Sequence, residues 1–336
     1  MSNSSDSTKN QTSKHPVLEV ADLKKHYVLR SGIGWSARKK VYAVDGVSFS
    51  IRAGETLGLV GESGCGKSTV GMSLLMLIEP TGGTVKYNGV DITRTSKQAL
   101  RQYRRHMQMV FQDPYNSVNP RMTIGDIIAE PLTNFKAASK RKRQARVQRI
   151  IRRVGLKEEH IGKFPHQMSG GQLQRVGIAR ALALKPGLVV CDEVVSALDV
   201  SVQAQVLNLL MDLQDEYGFS YLFITHDLSV VEHISHRIAV MYLGKIVELA
   251  DRRALFENPL HPYTRALLDA APVTDPRHRK KRRLLSGDVP NPVNPPKGCR
   301  FHTRCPFAIE RCRLEEPVLE KADTGHFKAC HIDDLQ

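Results

Sequence analysis

Apolar and polar residues alternate along residues 18–28 and again along 43–51, the spacing of strands that bury one face. Between them, residues 30–40 carry glycine and lysine and predict a loop. A short apolar run at 55–60 leads straight into a glycine-rich turn. Residues 67–78 then predict a helix stopped by Pro80 and Gly82-Gly83. Residues 107–111 predict another short strand. From about residue 123 to 184 the spacing is helical, with breaks at Gly155 and at Phe164-Pro165. Residues 188–192 are apolar until Asp192 and predict a buried strand. A helix at 200–217, a strand at 220–225, a helix at 228–234 and a strand at 237–242 follow, with a small edge strand at 244–248. Strands alternating with helices predict an α/β fold with a mainly parallel sheet covered by helices. Prolines recur from 259 to 296 and predict a linker around one short helix at 263–270. No internal repeat is present, so the pattern describes one such module.

Composition refines this picture in three places. A chain of 336 residues accommodates one large domain plus an appendage. A hydrophobic content of 41% with 25% charged residues is that of a soluble globular protein, and no run of about 18 apolar residues predicts a membrane span. Residues 1–15 are polar and lack the apolar core of a secretion signal, so they read as a disordered tail and the location as cytosolic. Structural disulfides among the six cysteines are then disfavoured. The net charge of +15 concentrates in Lys140-Arg-Lys-Arg143 with Arg146, Arg149, Arg152 and Arg153, and in a second run at 277–283. Such runs fit a solvated helix face and a basic linker, an anionic membrane surface, or nucleic acid. No aromatic-rich strand pattern accompanies them, which argues against a single-strand platform.

The chemistry-bearing residues point to phosphate. Gly61-Glu-Ser-Gly-Cys-Gly-Lys-Ser-Thr69 has the phosphate-loop spacing, between the strand and the helix its mechanism needs. Backbone N–H groups of Gly61, Ser63, Gly64, Cys65 and Gly66 would form the nest, with Thr69 closing it. Lys67 would reach the β- and γ-phosphate oxygens, and Ser68 would place its hydroxyl on Mg²⁺. Asp192, at the carboxyl end of a buried strand, suits a contact to Mg²⁺. Glu193 suits polarisation of an attacking water. His226 follows another strand end, where an imidazole can hold a γ-phosphate and the water. Gln112, ending the strand at 107–111, could meet Mg²⁺ and the water from a third side. Roughly 100 residues after the loop, Ser169-Gly-Gly-Gln172 opens a second helix whose unpaired N–H groups and positive dipole end face an anion.

In this order — phosphate loop, Gln112, Ser169-Gly-Gly-Gln172, Asp192-Glu193, Ser196-Ala-Leu-Asp199, His226 — the chain resembles the ATP-binding cassette family over residues 17–248. The resemblance implies a P-loop NTPase core, an antiparallel β subdomain and a helical subdomain at about 115–180. It implies a cassette at 16–258 and an extension at 259–336. It also implies a head-to-tail dimer, in which Ser169, Gly170, Gly171 and Gln172 of one subunit close on ATP held by Lys67 of the other, with Asp199 nearby. Glu193 is then the catalytic base, His226 its linchpin, and Gln112 the sensor facing the membrane partner. An aromatic residue near the first strand should stack on adenine, Tyr27 first and Tyr42 second. Residues 111–121, His261-Pro-Tyr-Thr-Arg265 and the ending Pro295-Pro-Lys-Gly-Cys-Arg-Phe-His-Thr-Arg-Cys-Pro306 are similar to the oligopeptide/dipeptide importers. In that subfamily the subunit pairs with a related ATPase, two membrane permeases and an extracytoplasmic peptide-binding protein, on the cytoplasmic side of the inner membrane. The loop between Tyr27 and Tyr42 favours the second of the two ATPases. Val194, Met168 and Leu173 depart from the usual proline, leucine and basic residue.

Cys299, Cys305, Cys312 and Cys330 leave alternatives open. Buried reduced thiols are one reading. Zinc motifs usually begin with cysteines about two to four residues apart, and these are more widely spaced. Four thiolates with Pro306 directly after Cys305 suit an iron–sulfur cluster, and the importer ATPases resembled here carry a [4Fe–4S] cluster on such cysteines. His302, His326 and His331 are candidate substitutes for one thiolate. A different class, a soluble cassette ATPase acting on DNA or ribosomes, would need a long coiled coil between loop and signature, or two modules. Neither is present.

Overall fold

A computed structural model describes residues 16–29, 39–270 and 287–333. The polar tail at 1–15, most of the loop expected at 30–40 and the basic run at 277–283 lie outside the described residues.

The chain begins with β1 (Leu18–Leu29), β2 (Lys39–Ile51), β3 (Thr56–Val60), α1 (Lys67–Leu74), β4 (Gly82–Tyr87), β5 (Val90–Asp91), α2 (Lys97–Arg104) and β6 (Met107–Val110). A helical stretch follows: α3 (Ile124–Asn134), α4 (Lys140–Arg153) and α5 (Gly170–Leu182). Next come β7 (Leu188–Asp192), α6 (Val200–Tyr217), β8 (Ser220–Thr225), α7 (Leu228–Ile234), β9 (Arg237–Tyr242), β10 (Lys245–Asp251), α8 (Arg252–Glu257) and α9 (Pro262–Ala270). The last elements are α10 (Glu310–Leu314), β11 (Glu320–Asp323) and β12 (His326–Lys328).

Two sheets form. One is four-stranded and antiparallel in the order β2-β1-β4-β5; the other runs β11-β12-β10-β9-β3-β8-β7-β6. Strands β9, β3, β8, β7 and β6 are parallel, with β6 at one edge, and β10, β12 and β11 add antiparallel pairs. Strand alternation divides the core into two. Tyr221 and Phe223 of β8 join the helical side, with α3, α5 and α6; Leu222 and Ile224 join the side covered by β1, β2 and α1. β3, β7 and β8 are buried along their whole length and mostly apolar because both faces are covered.

The structure departs from the sequence expectations locally. The first helix stops at Leu74 rather than Ile78, because Met76 turns to φ +50° and the N–H groups of Leu77 and Ile78 both aim at the Met72 carbonyl. The strand expected at the edge, 244–248, is internal: β10 is paired by β9 on one side and β12 on the other. β4, β5 and α2 were not expected. β4 owes its place to pairing with β1, a tertiary contact that local spacing does not encode. The breaks expected at Gly155 and Phe164-Pro165 are present. Gly155 takes φ +75°, and Pro165–Gln167 is a single 3₁₀ turn. Among the described residues, no helix is long and apolar enough to cross a membrane. The basic run at 140–153 is α4, whose buried residues are only Val147 and Ile151.

The extension is welded to this frame. Phe301 is fully buried against Tyr242 and Tyr263, with ring centroids 5.2 and 5.4 Å away. Glu248 of β10, fully buried, accepts hydrogen bonds from the Leu260 and His261 N–H groups and pairs with His326 at 2.7 Å.

Candidate nucleotide site

The carboxyl ends of β3, β6, β7 and β8 lie along one edge of the parallel sheet, where ligands gather in open α/β folds. β3 ends in the phosphate loop. Gly61, Gly64 and Gly66 have φ of +156°, +77° and +108°. A side chain at Gly66 would collide with the Ala43 carbonyl, so this turn needs glycine for room as well as for conformation. The loop delivers Lys67, which is 4% exposed, with its ammonium donating to the carbonyls of Gly61 and Glu62 at 2.8 and 2.9 Å. α1 begins without a side-chain cap and with no acidic residue in its first turn. Its first N–H groups and dipole therefore remain available to an anion.

The Ser68 hydroxyl donates to Asp192 Oδ1 at 2.9 Å. Burial pushes the Asp192 carboxyl up; the Ser68 hydroxyl opposes that shift and the neighbouring Glu193 charge adds to it. A buried carboxylate beside a hydroxyl is a hard-oxygen pair whose charge a cation relieves, and it fits Mg²⁺. Ser68 and Asp192 are the residues that would hold it.

Glu193 is the centre of a polar triangle. Gln112 Nε2 donates to its Oε2 at 2.9 Å, and His226 Nδ1 stands 3.3 Å from its Oε1. The residue sits at φ +48°, a left-handed conformation that costs about 1–3 kcal/mol for a side chain of this kind. Its N–H donates to the Ile224 carbonyl and its own carbonyl accepts from the Ser196 hydroxyl, which fixes the turn. Gln112 thus meets Glu193 directly. A neutral His226 ring that donates from Nδ1 to Glu193 leaves only a lone pair at Nε2; donation to a γ-phosphate then requires the protonated ring.

The other expected residues lie elsewhere. Ser169 caps α5 in a reciprocal box: its Oγ accepts from the Gln172 N–H at 3.3 Å, and Gln172 Oε1 accepts from the Ser169 N–H at 3.0 Å. A side chain on Gly170 would meet nothing within 4 Å, while one on Gly171 would press on Val202. Among the described residues, no hydrogen bond or ion pair joins Ser169, Gly170, Gly171 or Gln172 to the phosphate loop. Asp199 stands at the N-cap position of α6, exposed and with no capping hydrogen bond from its side chain. Met168 and Leu173 are buried at 5% and 0% exposure, so these departures pack the core beneath the signature. Val194 is likewise buried. Tyr27 of β1 is part-exposed, with Lys25 Nζ 5.1 Å from its ring centre. Tyr42 of β2 lies edge-on to His26 at 4.6 Å.

Burial pushes the Cys299 thiol up to about 12 and Cys305 up to about 11, and Cys330 also upward. Cys305, Cys312 and Cys330 each add to the shift of Cys299, so the four thiols share one corner. Among the described residues, no three His, Cys, Asp or Glu side chains stand where one metal ion could be held.

Sequence reasoning missed Glu62, Tyr263 and Arg304. The Glu62 N–H donates to the Tyr263 hydroxyl at 2.9 Å, and Arg304 grips the Glu62 carboxylate at 2.8 and 3.0 Å. The available signal was two arginines, Arg300 and Arg304, set between Cys299 and Cys305.

Comparison with known proteins agrees with this geometry. Residues 44–196 match the family described as ABC transporter, and residues 247–312 the one described as oligopeptide/dipeptide transporter, C-terminal region. The chain is 57% identical over 94% of its length to a probable peptide ABC transporter ATP-binding protein, y4tS, of Sinorhizobium fredii, covering 90% of that protein. It is 52% identical to the oligopeptide transport ATP-binding protein AppF of Bacillus subtilis, over 94% of this chain and 97% of that one. Among solved structures, the dimeric post-hydrolysis state of the ATP-binding cassette MJ0796 bound to ADP and Pi superposes with a TM-score of 0.62. That pair is 30% identical over 70% of this chain and 99% of the other. A phosphate loop, a Gln-Glu-His triangle and a capped signature helix on this sheet make an ABC-type ATPase, and the chain belongs to the family of ATP-binding subunits of peptide ABC transporters.

Proposed function

We propose that this chain hydrolyses ATP to drive peptide uptake through a bacterial membrane importer. The observation that carries the transport reading is that residues 247–312 match the peptide-transporter C-terminal region, and that the extension packs against the cassette core. In the proposed mechanism, α1 and Lys67 take the β- and γ-phosphates, with Ser68 and Asp192 holding Mg²⁺, which supplies charge neutralisation when bound. Tyr27 stacks on adenine, with Tyr42 the alternative. Water attacks the γ-phosphorus in line, the bond to the β–γ bridging oxygen breaks, and Glu193 accepts the water's proton at its carboxylate. Gln112 and His226 hold that carboxylate in place. Catalysis is then mainly positioning and charge stabilisation.

Ser169 to Gln172 complete the site of a second, related ATPase subunit. The dimeric state of the similar cassette supports this reading. Two permeases receive the motion, with an extracytoplasmic peptide-binding protein above them and this chain on the cytoplasmic face. For the four cysteines, a [4Fe–4S] cluster is preferred to zinc. What supports this reading is the four thiols sharing one corner and Pro306 directly after Cys305. Anaerobic purification should yield iron, acid-labile sulfide and a chromophore near about 400 nm; zinc without iron would exclude the cluster. Membrane co-purification tests the transport reading. The tagged chain should bring down two permeases and a second ATPase, and uptake of a labelled dipeptide should fail when the chain is deleted; normal uptake after deletion would overturn it.

A further inference from the structure

Every polar group of Glu62, the second residue of the phosphate loop, is engaged. Its carbonyl holds the Lys67 ammonium at 2.9 Å, its N–H donates to the Tyr263 hydroxyl at 2.9 Å, and its carboxylate takes both arms of Arg304. Only the first of these partners belongs to the cassette motifs. Tyr263 and Arg304 come from the extension, 201 and 242 positions away in sequence.

We infer that Tyr263 and Arg304 are positioning residues of the ATPase: through Glu62 they set where the catalytic lysine rests, and so the affinity for nucleotide phosphate. Three observations combine. First, both groups are rigidly held. Tyr263 is fully buried, 4.7 Å from Tyr242 and 5.4 Å from Phe301; Arg304 is 7% exposed and its guanidinium lies 5.8 Å from the centre of the Tyr242 ring. Second, the contact to Glu62 is a two-pronged guanidinium–carboxylate pair, which fixes orientation as well as distance and which lysine cannot reproduce. Third, the same extension touches the neighbouring strand. The Tyr42 N–H donates to the Pro292 carbonyl at 3.0 Å, Arg300 donates to the Leu243 carbonyl at 2.5 Å, and Arg300 pairs with Asp45. Asp45 in turn meets His26 of β1 at 2.8 Å. The extension thus braces the phosphate loop and the strands beside it from one side. A loop whose glycines have no side chains to pack needs such outside support to keep its N–H groups aimed at one point.

The inference concerns the ATPase site and holds whichever solute is carried. Its test is ADP binding to the full chain by calorimetry, with melting temperature measured in parallel. Tyr263→Phe removes one hydroxyl from a fully packed ring and should weaken ADP binding about 3- to 10-fold by freeing the Glu62 backbone, while the melting temperature falls by no more than one lost buried hydrogen bond accounts for. Arg304→Lys should weaken it by a similar factor despite keeping the charge. In a Glu62→Gln background, Arg304→Met should change ADP affinity by less than about twofold, because the two act as one unit. ADP affinity unchanged in Tyr263→Phe and Arg304→Lys while melting falls would overturn the inference, leaving the extension a purely structural brace. Additive losses in the Glu62→Gln background would also overturn it.

Discussion

Two helices of this protein start as anion sites, and they are built in opposite ways. α1 begins at Gly66, a left-handed glycine with no side chain to spend on capping, so its first N–H groups remain open and Lys67 is buried beneath them. α5 begins at Ser169, whose hydroxyl and whose partner Gln172 satisfy two N–H groups within the chain. One helix start is incomplete without a phosphate; the other is stable without one and stands free of the loop it resembles. The contrast fits the proposed division of labour, in which α1 holds this chain's own nucleotide and the capped, exposed signature meets the nucleotide of a second subunit.

Mutations should separate these two roles. The largest effect belongs to Glu193→Gln, which leaves both helix starts intact and removes the base: turnover should fall about 10²- to 10⁴-fold while ADP affinity holds, measured by phosphate release and calorimetry. Lys67→Ala strikes α1 alone. Losing a charged hydrogen-bond donor costs about 2–3 kcal/mol, so ADP affinity should drop about 30- to 150-fold.

Acidification reaches the α1 side through the extension. His261 is fully buried, its Nδ1 accepts the Tyr263 N–H, and burial pushes it down to about 4. A folded value below the unfolded one (about 6.5) gives stability that is complete above that unfolded value and lost as pH falls towards the folded one. Between pH 7 and pH 5 the protein should therefore lose about 2 kcal/mol from this group. Denaturant melts should show the loss in the parent and a flatter profile in His261→Asn. The smallest effect is Ser169→Ala, which removes the α5 cap and should cost about 1 kcal/mol of stability by the same melts with ADP affinity unaltered.

How much of this was legible in the sequence differs between the same two regions. The phosphate loop, Asp192, Glu193, Gln112 and His226 could be placed because each follows an apolar strand, and strand ends in a parallel sheet share one edge. The signature could be recognised as a helix start, since Ser169 and Gln172 form a local box. What supports α1 could not be read. Tyr263, Arg304 and the β10–β12 pairing join positions far apart in sequence, and no periodicity records such contacts. Nor could the direction of Gln112, whose hydrogen bond to Glu193 depends on how β6 and β7 lie side by side. β4 and β5 were invisible for a related reason: they are short, and β4 draws its order from β1 rather than from its own residues.

The central claim is that the phosphate loop and the signature of one chain serve different nucleotides. Ser169→Arg tests it most directly, with Ser169→Ala separating loss of the hydroxyl, in the cap and at the partner's nucleotide, from the bulk and charge that arginine adds. In the transporter complex purified from membranes, ADP binding and steady-state ATP hydrolysis would be measured on both variants. The account predicts ADP affinity at the Lys67 site within about twofold of the parent and hydrolysis reduced at least about tenfold, since a bulky cation would obstruct closure on the partner's ATP. A loss of ADP affinity in Ser169→Arg as large as that in Lys67→Ala would contradict it, placing both helix starts on one nucleotide.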